Sequence, residues 1–387
     1  MFEVIKYAIV NIVTTLLRGF PLPCKTGVIK IGNPNKNSPV FLTANFVLTA
    51  QRVKKALNGT DCYLLVANSR GINVWCSAAG GYFTNHDVIS SLKVSGIEKL
   101  VTHRNVVLPQ LAAAGIESRV ISEKTGWNVI WGPVYAKDIP KFMENEFRKT
   151  PQMREVKFPL MQRIEIAVMW AFPFSIIAGL ITTLFWRNMV LPLISLIWAL
   201  PFLIFMPFPL YSNLLNPQKK GTKFSKYTVV FDFNRVPLIL EGIVLFCLII
   251  YSVLAGTFTW EFILRWGFIS FVVTLMISID LMGSTPVYKS GLHEERFLKV
   301  VLNDKKCDGC GFCKEVCPKN CYEIDKIRHL ATMPRLNQCV QCGACIVQCP
   351  QDALCFQNSK GEIISPEVLR KFKLNLMGKR AVKIERR

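Results

Sequence analysis

No small-residue cleavage site follows the first apolar segment, residues 2–17, and the segment is short for a membrane span. It reads as a packed N-terminal helix and not as a signal peptide. No groove-reading motif accompanies the charge, although 47 Lys and Arg against 26 Asp and Glu leave a formal +21. This excess therefore does not point to nucleic acid. The basic residues gather beside apolar stretches and in the C-terminal tail, where membrane lipid explains them. Nor do the 14 cysteines make the framework of a small secreted domain, because eight fall in two compact runs near the C-terminus, which points to a reducing compartment. What abounds is apolar side chain: 51% of the residues are hydrophobic, so part of the chain belongs in lipid.

From Gly27 to about Val134, short apolar strands alternate with helical patterns. Strands are expected at Val40–Thr43, Cys62–Ala67, Val101–Thr102 and Val129–Trp131, separated by helical segments such as Thr49–Leu57 and Asp87–Lys93. This alternation predicts an α/β domain with a mostly parallel sheet, whose ligands bind at the loops beyond the strand ends. Two such loops hold Thr43–Asn45 and the stretch Gly71–Gly81, which offers the single thiol of Cys76 among small residues. A large flat ligand can approach there, and Cys76 is the candidate metal ligand. Taken alone, such a thiol is more commonly a small buried hydrophobe.

Residues 137–163 are polar and basic, and four apolar stretches follow, at about 165–186, 190–211, 236–256 and 260–281, each near the ~20 residues a span needs. Lys137, Lys141, Arg148, Lys149, Arg154, Lys157 and Arg163 precede the first, Arg187 alone divides the first two, and Lys219, Lys220, Lys223, Lys226 and Arg235 divide the second from the third. Lys289, Arg296, Lys299, Lys305 and Lys306 follow the fourth. The positive-inside rule then makes the chain a multi-pass protein of the cytoplasmic membrane, with both soluble parts on the cytoplasmic side. Glu241 and Arg265 fall inside spans, where an ionisable group is either functional or explained by snorkelling and by the pair Glu261–Arg265.

The most specific signal is Cys307, Cys310, Cys313, Cys317-Pro318, repeated as Cys339, Cys342, Cys345, Cys349-Pro350. This is the spacing of a bacterial two-cluster ferredoxin, in which the fourth cysteine of each run serves the other cluster. Cys307, Cys310, Cys313 and Cys349 are assigned to one [4Fe–4S] cluster, and Cys339, Cys342, Cys345 and Cys317 to the second. Zinc does not call for two four-cysteine runs each closed by proline. Cys321 and Cys355 are extra, and read as packing thiols. The chain divides into an α/β domain (1–160), a helical transmembrane bundle (161–285), a linker (286–304), an α+β two-cluster ferredoxin (305–358) and a basic tail (359–387).

The matching pieces Gly32-Asn33-Pro34, Ser38-Pro39-Val40, Thr43-Ala44-Asn45-Phe46, Gly71-Ile72-Asn73-Val74-Trp75-Cys76, His103-Arg104 and Leu108-Pro109-Gln110-Leu111 sharpen this set to a family. Trp131-Gly132-Pro133-Val134, Thr150-Pro151-Gln152-Met153-Arg154 and Gly283-Ser284-Thr285-Pro286-Val287-Tyr288-Lys289-Ser290-Gly291 continue it in the same order. The chain resembles a fusion of the mercury-methylating corrinoid protein with its ferredoxin partner. The piece Asn73–Cys76 corresponds to that family's cap over the corrinoid. Three features depart from it: Ala79-Gly80 stands where the family has Gly-Lys, no cysteine pair follows Cys355, and one span after Gly283 is missing.

The resemblance implies a corrinoid-dependent methyltransferase with a Rossmann-like first domain. A cobalamin-type corrinoid would sit base-off there, with Cys76 as a thiolate below cobalt, Thr43 near the ring, and Asn73, Trp75, Ser77 and Ala78 in the cap. A thiolate donor trans to a methyl group favours its departure as a carbanion equivalent, which suits Hg(II) or another soft acceptor. The methyl donor would be of folate or pterin type, acting directly or through a methyltransferase. The ferredoxin part, fed by an external electron donor, would return cobalt to Co(I). Two alternatives stand beside this: a corrinoid methyltransferase of one-carbon or metalloid metabolism with a non-mercury acceptor, and a membrane electron-transfer ferredoxin without corrinoid.

Overall fold

The computed structural model describes residues 2–212, 235–284, 298–358, 361–374 and 380–382. Contacts gather the chain into two units: Met1–Thr14, Phe20–Val156 and Leu298–Arg387 in one, Thr15–Gly19 and Lys157–Phe297 in the other. The α/β part and the cysteine-rich part, separate in sequence, thus share a unit.

In the first unit, β2 (Val40–Ala44) and β3 (Cys62–Ala67) are buried at every residue, as strands covered on both faces must be. With β1 (Gly27–Ile31), β4 (Asn105–Pro109) and β5 (Asn128–Gly132) they form a sheet of order β1-β3-β2-β4-β5, in which only β1 runs antiparallel. The strand expected at Val101–Thr102 begins four residues later. Val101 instead ends the short helix Ile97–Leu100, its N–H bonded to the Ile97 carbonyl. Alternation along β2 sends Val40, Leu42 and Ala44 into one core and Phe41 into the other. The N-terminal helix Phe2–Leu16 forms; Tyr7, Val10, Asn11 and Thr14 are partly or fully buried on it, while Ile5, Ile9, Ile12 and Val13 are exposed.

In the cysteine-rich part, β6 (Lys299–Leu302), β9 (Leu354–Gln357) and β10 (Ile363–Ile364) make a small antiparallel sheet beside the hairpin of β7 (Glu323–Asp325) and β8 (Leu330–Thr332). Two one-turn helices, Phe312–Val316 and Ala344–Val347, each follow a glycine in the left-handed region, Gly311 at φ 83° and Gly343 at φ 77°. A side chain there would strain both turns.

The second unit is helical. Among the described residues, Leu160–Phe185 and Arg187–Phe205 are long and apolar enough to cross a membrane, and Leu238–Leu254 is a shorter apolar helix. The expected four-span bundle is met in this sense by two helices. Residues 213–234 and 285–297, with the charged loops around Lys223 and Lys289, lie outside the described residues. The pair Glu261–Arg265 forms one turn apart on the helix Trp260–Ser284. Glu241 is buried, and accepts a hydrogen bond from Ser270 Oγ at 2.5 Å.

Candidate functional site

The loop after β3 is tied down by Asn45, which follows β2. Its Oδ1 accepts from the Ser69 N–H (2.8 Å), the Ser69 hydroxyl (3.0 Å) and the Gly71 N–H (3.0 Å). Gly71 has φ 68°, and a Cβ there would stand 2.4 Å from the Pro23 nitrogen, so no other residue fits. Asn73 then caps a six-residue helix, Val74–Ala79, by accepting from the Trp75 N–H at 2.9 Å. This is the cap helix. Val74, Ser77 and Ala78 are buried beneath it, while Cys76 is exposed. Asn73, Ser77 and Ala78 therefore build the helix with their side chains, and Cys76 presents its sulfur outward.

The cap helix packs on the 3-10 turn Gln110–Ala114 that follows β4, at the same end of the sheet. The approach is close enough that a Cβ on Gly115 would lie 2.1 Å from the Ala78 carbonyl oxygen. Thr43, near the end of β2, has its hydroxyl buried without a hydrogen-bond partner, and so does the Trp131 Nε1 near the end of β5. Such orphaned groups beyond strand ends suit a ligand with polar edges. By alternation along β2, however, Thr43 shares the face of Phe41, not that of Val74.

Cys307, Cys310, Cys313 and Cys349 line one cavity, and Cys317, Cys339, Cys342 and Cys345 line another, with Cys321 at its wall. Among the described residues, no three His, Cys, Asp or Glu side chains converge as a single ion requires. Four thiols gathered round one cavity without converging on one point fit a cluster better than zinc. The sulfurs also accept N–H groups: Ala331 to Cys307 (3.4 Å), Cys321 to Cys317 (3.3 Å), Gln341 to Cys339 (3.2 Å) and Ala353 to Cys349 (3.3 Å). The Tyr322 hydroxyl donates to Cys345 Sγ at 3.1 Å. Donors aimed at sulfur are what thiolates bound to iron use to spread their charge. Burial pushes the Cys313 thiol up to about 12 and raises Cys345 as well, so these thiolates need cationic metal to offset their desolvation. Cys355, on β9, is partly buried.

The two parts of the unit meet through residues the sequence did not single out. Gln348, beside Cys349, donates to the carbonyls of Ala113 (2.8 Å) and Ile116 (2.5 Å) and accepts from the Ser118 hydroxyl (2.9 Å). Lys149 has no exposed side-chain surface and bonds Gln110 Oε1 (2.8 Å) and the carboxylate of Glu315 (3.0 Å), a residue between Cys313 and Cys317. Burial lowers the Lys149 ammonium to about 8, against the pull of Glu315. The Val156 N–H donates to the Pro318 carbonyl at 2.8 Å. A polar residue within a cysteine run is a faint signal, because it reads first as a solvated side chain.

Residues 15–143 match the family described as CO dehydrogenase/acetyl-CoA synthase delta subunit, and residues 306–354 match the 4Fe-4S dicluster domain. Curated relatives include the acetyl-CoA decarbonylase/synthase complex subunit gamma of Methanopyrus kandleri, 38% identical over 128 residues, which are 33% of this chain and 27% of that protein. Subunit gamma 2 of Methanosarcina mazei is 38% identical over 131 residues, again 33% of this chain and 27% of the relative. Subunit gamma of Archaeoglobus fulgidus is 36% identical over 129 residues, with the same coverage. The match thus spans about a quarter of the length of these relatives. Residues 15–143 are thus similar to a domain of CO dehydrogenase/acetyl-CoA synthase subunits, and residues 306–354 to a 4Fe–4S dicluster domain.

Proposed function

We propose that this chain is a membrane-anchored corrinoid iron–sulfur methyltransferase that passes a methyl group to Hg(II). One observation carries the reading: the exposed Cys76 of the cap helix and the cysteine-lined cavities belong to one unit, joined across the turn Gln110–Ala114 by Gln348. When bound, a base-off corrinoid supplies the methyl group that leaves cobalt, and two [4Fe–4S] clusters supply the electrons that restore Co(I).

The chain's own residues do the rest. Cys76 would be the thiolate that holds the corrinoid's metal, and Asn73 and Asn45 fix the helix that presents it. Trp131, in the core cluster that also holds Val74, would give its unpartnered Nε1 to the ligand's edge, whereas Thr43, on the opposite face of the sheet, would act from behind the strand. Cys307, Cys310, Cys313 and Cys349 would hold one cluster, and Cys317, Cys339, Cys342 and Cys345 the other. Folate- or pterin-type methyl donors and an external electron donor complete the set. Membrane anchoring is supported by the two long apolar helices and by exposed apolar residues such as Leu180, Leu184 and Leu191, while four spans with both soluble parts cytoplasmic rest on the apolar stretches and flanking Lys and Arg of the sequence.

A visible spectrum and mass spectrometry of extracted cofactor, together with a mercury methylation assay, test the reading. A chain that contains corrinoid but leaves Hg(II) unmethylated supports a second one, methyl transfer to a carbon acceptor in one-carbon metabolism. The named acetyl-CoA decarbonylase/synthase relatives favour that alternative. Iron–sulfur absorbance with no corrinoid would leave only an electron carrier.

A further inference from the structure

The two cysteine-lined cavities face different surroundings. Cys342, of the second, packs against the α/β core together with Val316 and Ala344, in the cluster that also holds Ala112, Ala113 and Ala114. That cavity is the inner one. The first cavity opens outward at Cys310, which is exposed. Around it stand Phe312, 40% exposed, and Ile327, 92% exposed at the tip of the β7–β8 hairpin. The hairpin tip lies against the cavity, since a Cβ on Gly309 would meet the His329 backbone at 2.7 Å and Ala331 lines the same void.

The rim of this patch is basic. Lys305, Lys306, Lys326 and Arg328 are all exposed. Of the neighbouring acids, Asp308 is engaged by the Cys310 N–H (3.1 Å) and Gln351 (3.0 Å), and Asp325 by the N–H groups of Ile327 (2.9 Å) and Arg328 (3.1 Å); Asp304 remains on the surface. An exposed isoleucine and phenylalanine with exposed cations beside them in the chain, next to the exposed thiol of the first cavity, is the complement of an apolar spot flanked by carboxylates.

We propose that this outer face is the docking surface for a small acidic electron-carrier protein, and that the two cavities act in a fixed order, outer site first and inner site against the α/β core. The inference rests on the iron–sulfur reading of the cavities. Each docking event moves one electron: the carrier is oxidised by one, the iron–sulfur group held by Cys307, Cys310, Cys313 and Cys349 is reduced by one, and no bond or proton changes.

The test uses the full chain purified anaerobically in detergent, with fully reduced flavodoxin as the acidic probe and dithionite as a small reductant that needs no docking. Bleaching of the iron–sulfur absorbance is followed by rapid mixing at low and high salt. The quadruple variant Lys305→Glu, Lys306→Glu, Lys326→Glu and Arg328→Glu should react with flavodoxin about ten-fold or more slowly at low salt, with the dithionite reaction unchanged. Ile327→Ser should slow it less, but at both salt concentrations. A control reversing the exposed Lys54, Lys93, Lys99 and Lys124 to Glu makes the same change in net charge and should stay within about two-fold of wild type. Equal slowing in both quadruple variants, or none in either, would overturn the docking surface while leaving the iron–sulfur reading intact. Absence of an iron–sulfur chromophore from the wild-type chain would overturn that reading and the proposal together.

Discussion

Lys149 is the residue at which burial and charge conflict most. Its ammonium falls to about 8 in the fold, against 10.5 for the ordinary side chain, because desolvation outweighs Glu315. Between these two pH values the unfolded chain binds the proton more often than the folded one, so stability rises with pH across that window. The gain is absent below about 8 and complete above 10.5, and at ~1.4 kcal/mol per pH unit it reaches about 3 kcal/mol at most. Thermal midpoints of wild type and Lys149→Met should therefore diverge in favour of wild type from pH 8 to 10, and parallel curves would show that the ammonium is not desolvated. Cys76 makes a chemical prediction: Cys76→Ala should abolish methyl transfer to Hg(II) and leave the iron–sulfur spectrum unchanged, while Cys76→His retains some corrinoid but transfers poorly. A methylation assay beside the spectrum decides it. The exposure of Cys76 was not legible from its run of small residues, which taken alone reads as a buried thiol; the motif resemblance singled it out. Lys149 was not legible either, because it sits in a basic stretch that reads as membrane-flanking charge, and nothing local reveals that Gln110 and Glu315 enclose it.

Among the elements, the cap helix and the turn Gln110–Ala114 are set by one tight approach. Gly115→Ala places a methyl group 2.1 Å from the Ala78 carbonyl, so backbone must move, at a cost of about 1–3 kcal/mol. The expected outcome is a lower thermal midpoint and weaker corrinoid retention, with normal iron and sulfide content; loss of iron as well would mean that the turn also supports the cysteine-rich part. Gln348→Ala leaves the carbonyls of Ala113 and Ile116 without their donor, at about 1–3 kcal/mol. Hydrogen exchange at residues 110–118 should speed up in this variant, and unchanged protection would argue against a docked module. The strands β2, β3 and β5 could be read from apolar runs, because a buried parallel strand leaves a continuous hydrophobic signature. The strand β4 was displaced by four residues: Val101 is apolar enough to pass for a strand, but is needed to close the turn after Ile97. The edge strand β1 carried no such run, being half exposed. The spacing of the cysteine runs names the two groups of thiols that lie together, since the repeat fixes which sulfur can cross to the other site.

For the molecule as a whole, labelling at Lys299 and Lys371 should report cytoplasmic exposure, and an external signal at Lys371 alone would require an odd number of crossings. A double variant, Cys313→Ala with Cys345→Ala, should lose cobalt reduction yet complete one methyl transfer when supplied already methylated, because only the following cycle needs electrons. Rapid-quench analysis of that first turnover is the measurement, and its loss would implicate the cysteine-rich part in acceptor delivery, with Cys321 and Cys355 the next residues to test. Charge counting and hydropathy made the apolar region legible, but not that the α/β and cysteine-rich parts would close into one unit, which depends on contacts between residues more than 160 positions apart. The bond from Val156 to Pro318 clasps the chain where it leaves that unit and where it has just returned to it. Because both sides of the joint are covalently one molecule, its closure is a first-order event whose extent does not change on dilution. A reductase and its acceptor on separate chains would have to find each other anew at every encounter. Here the chain itself keeps the two halves at each other's side.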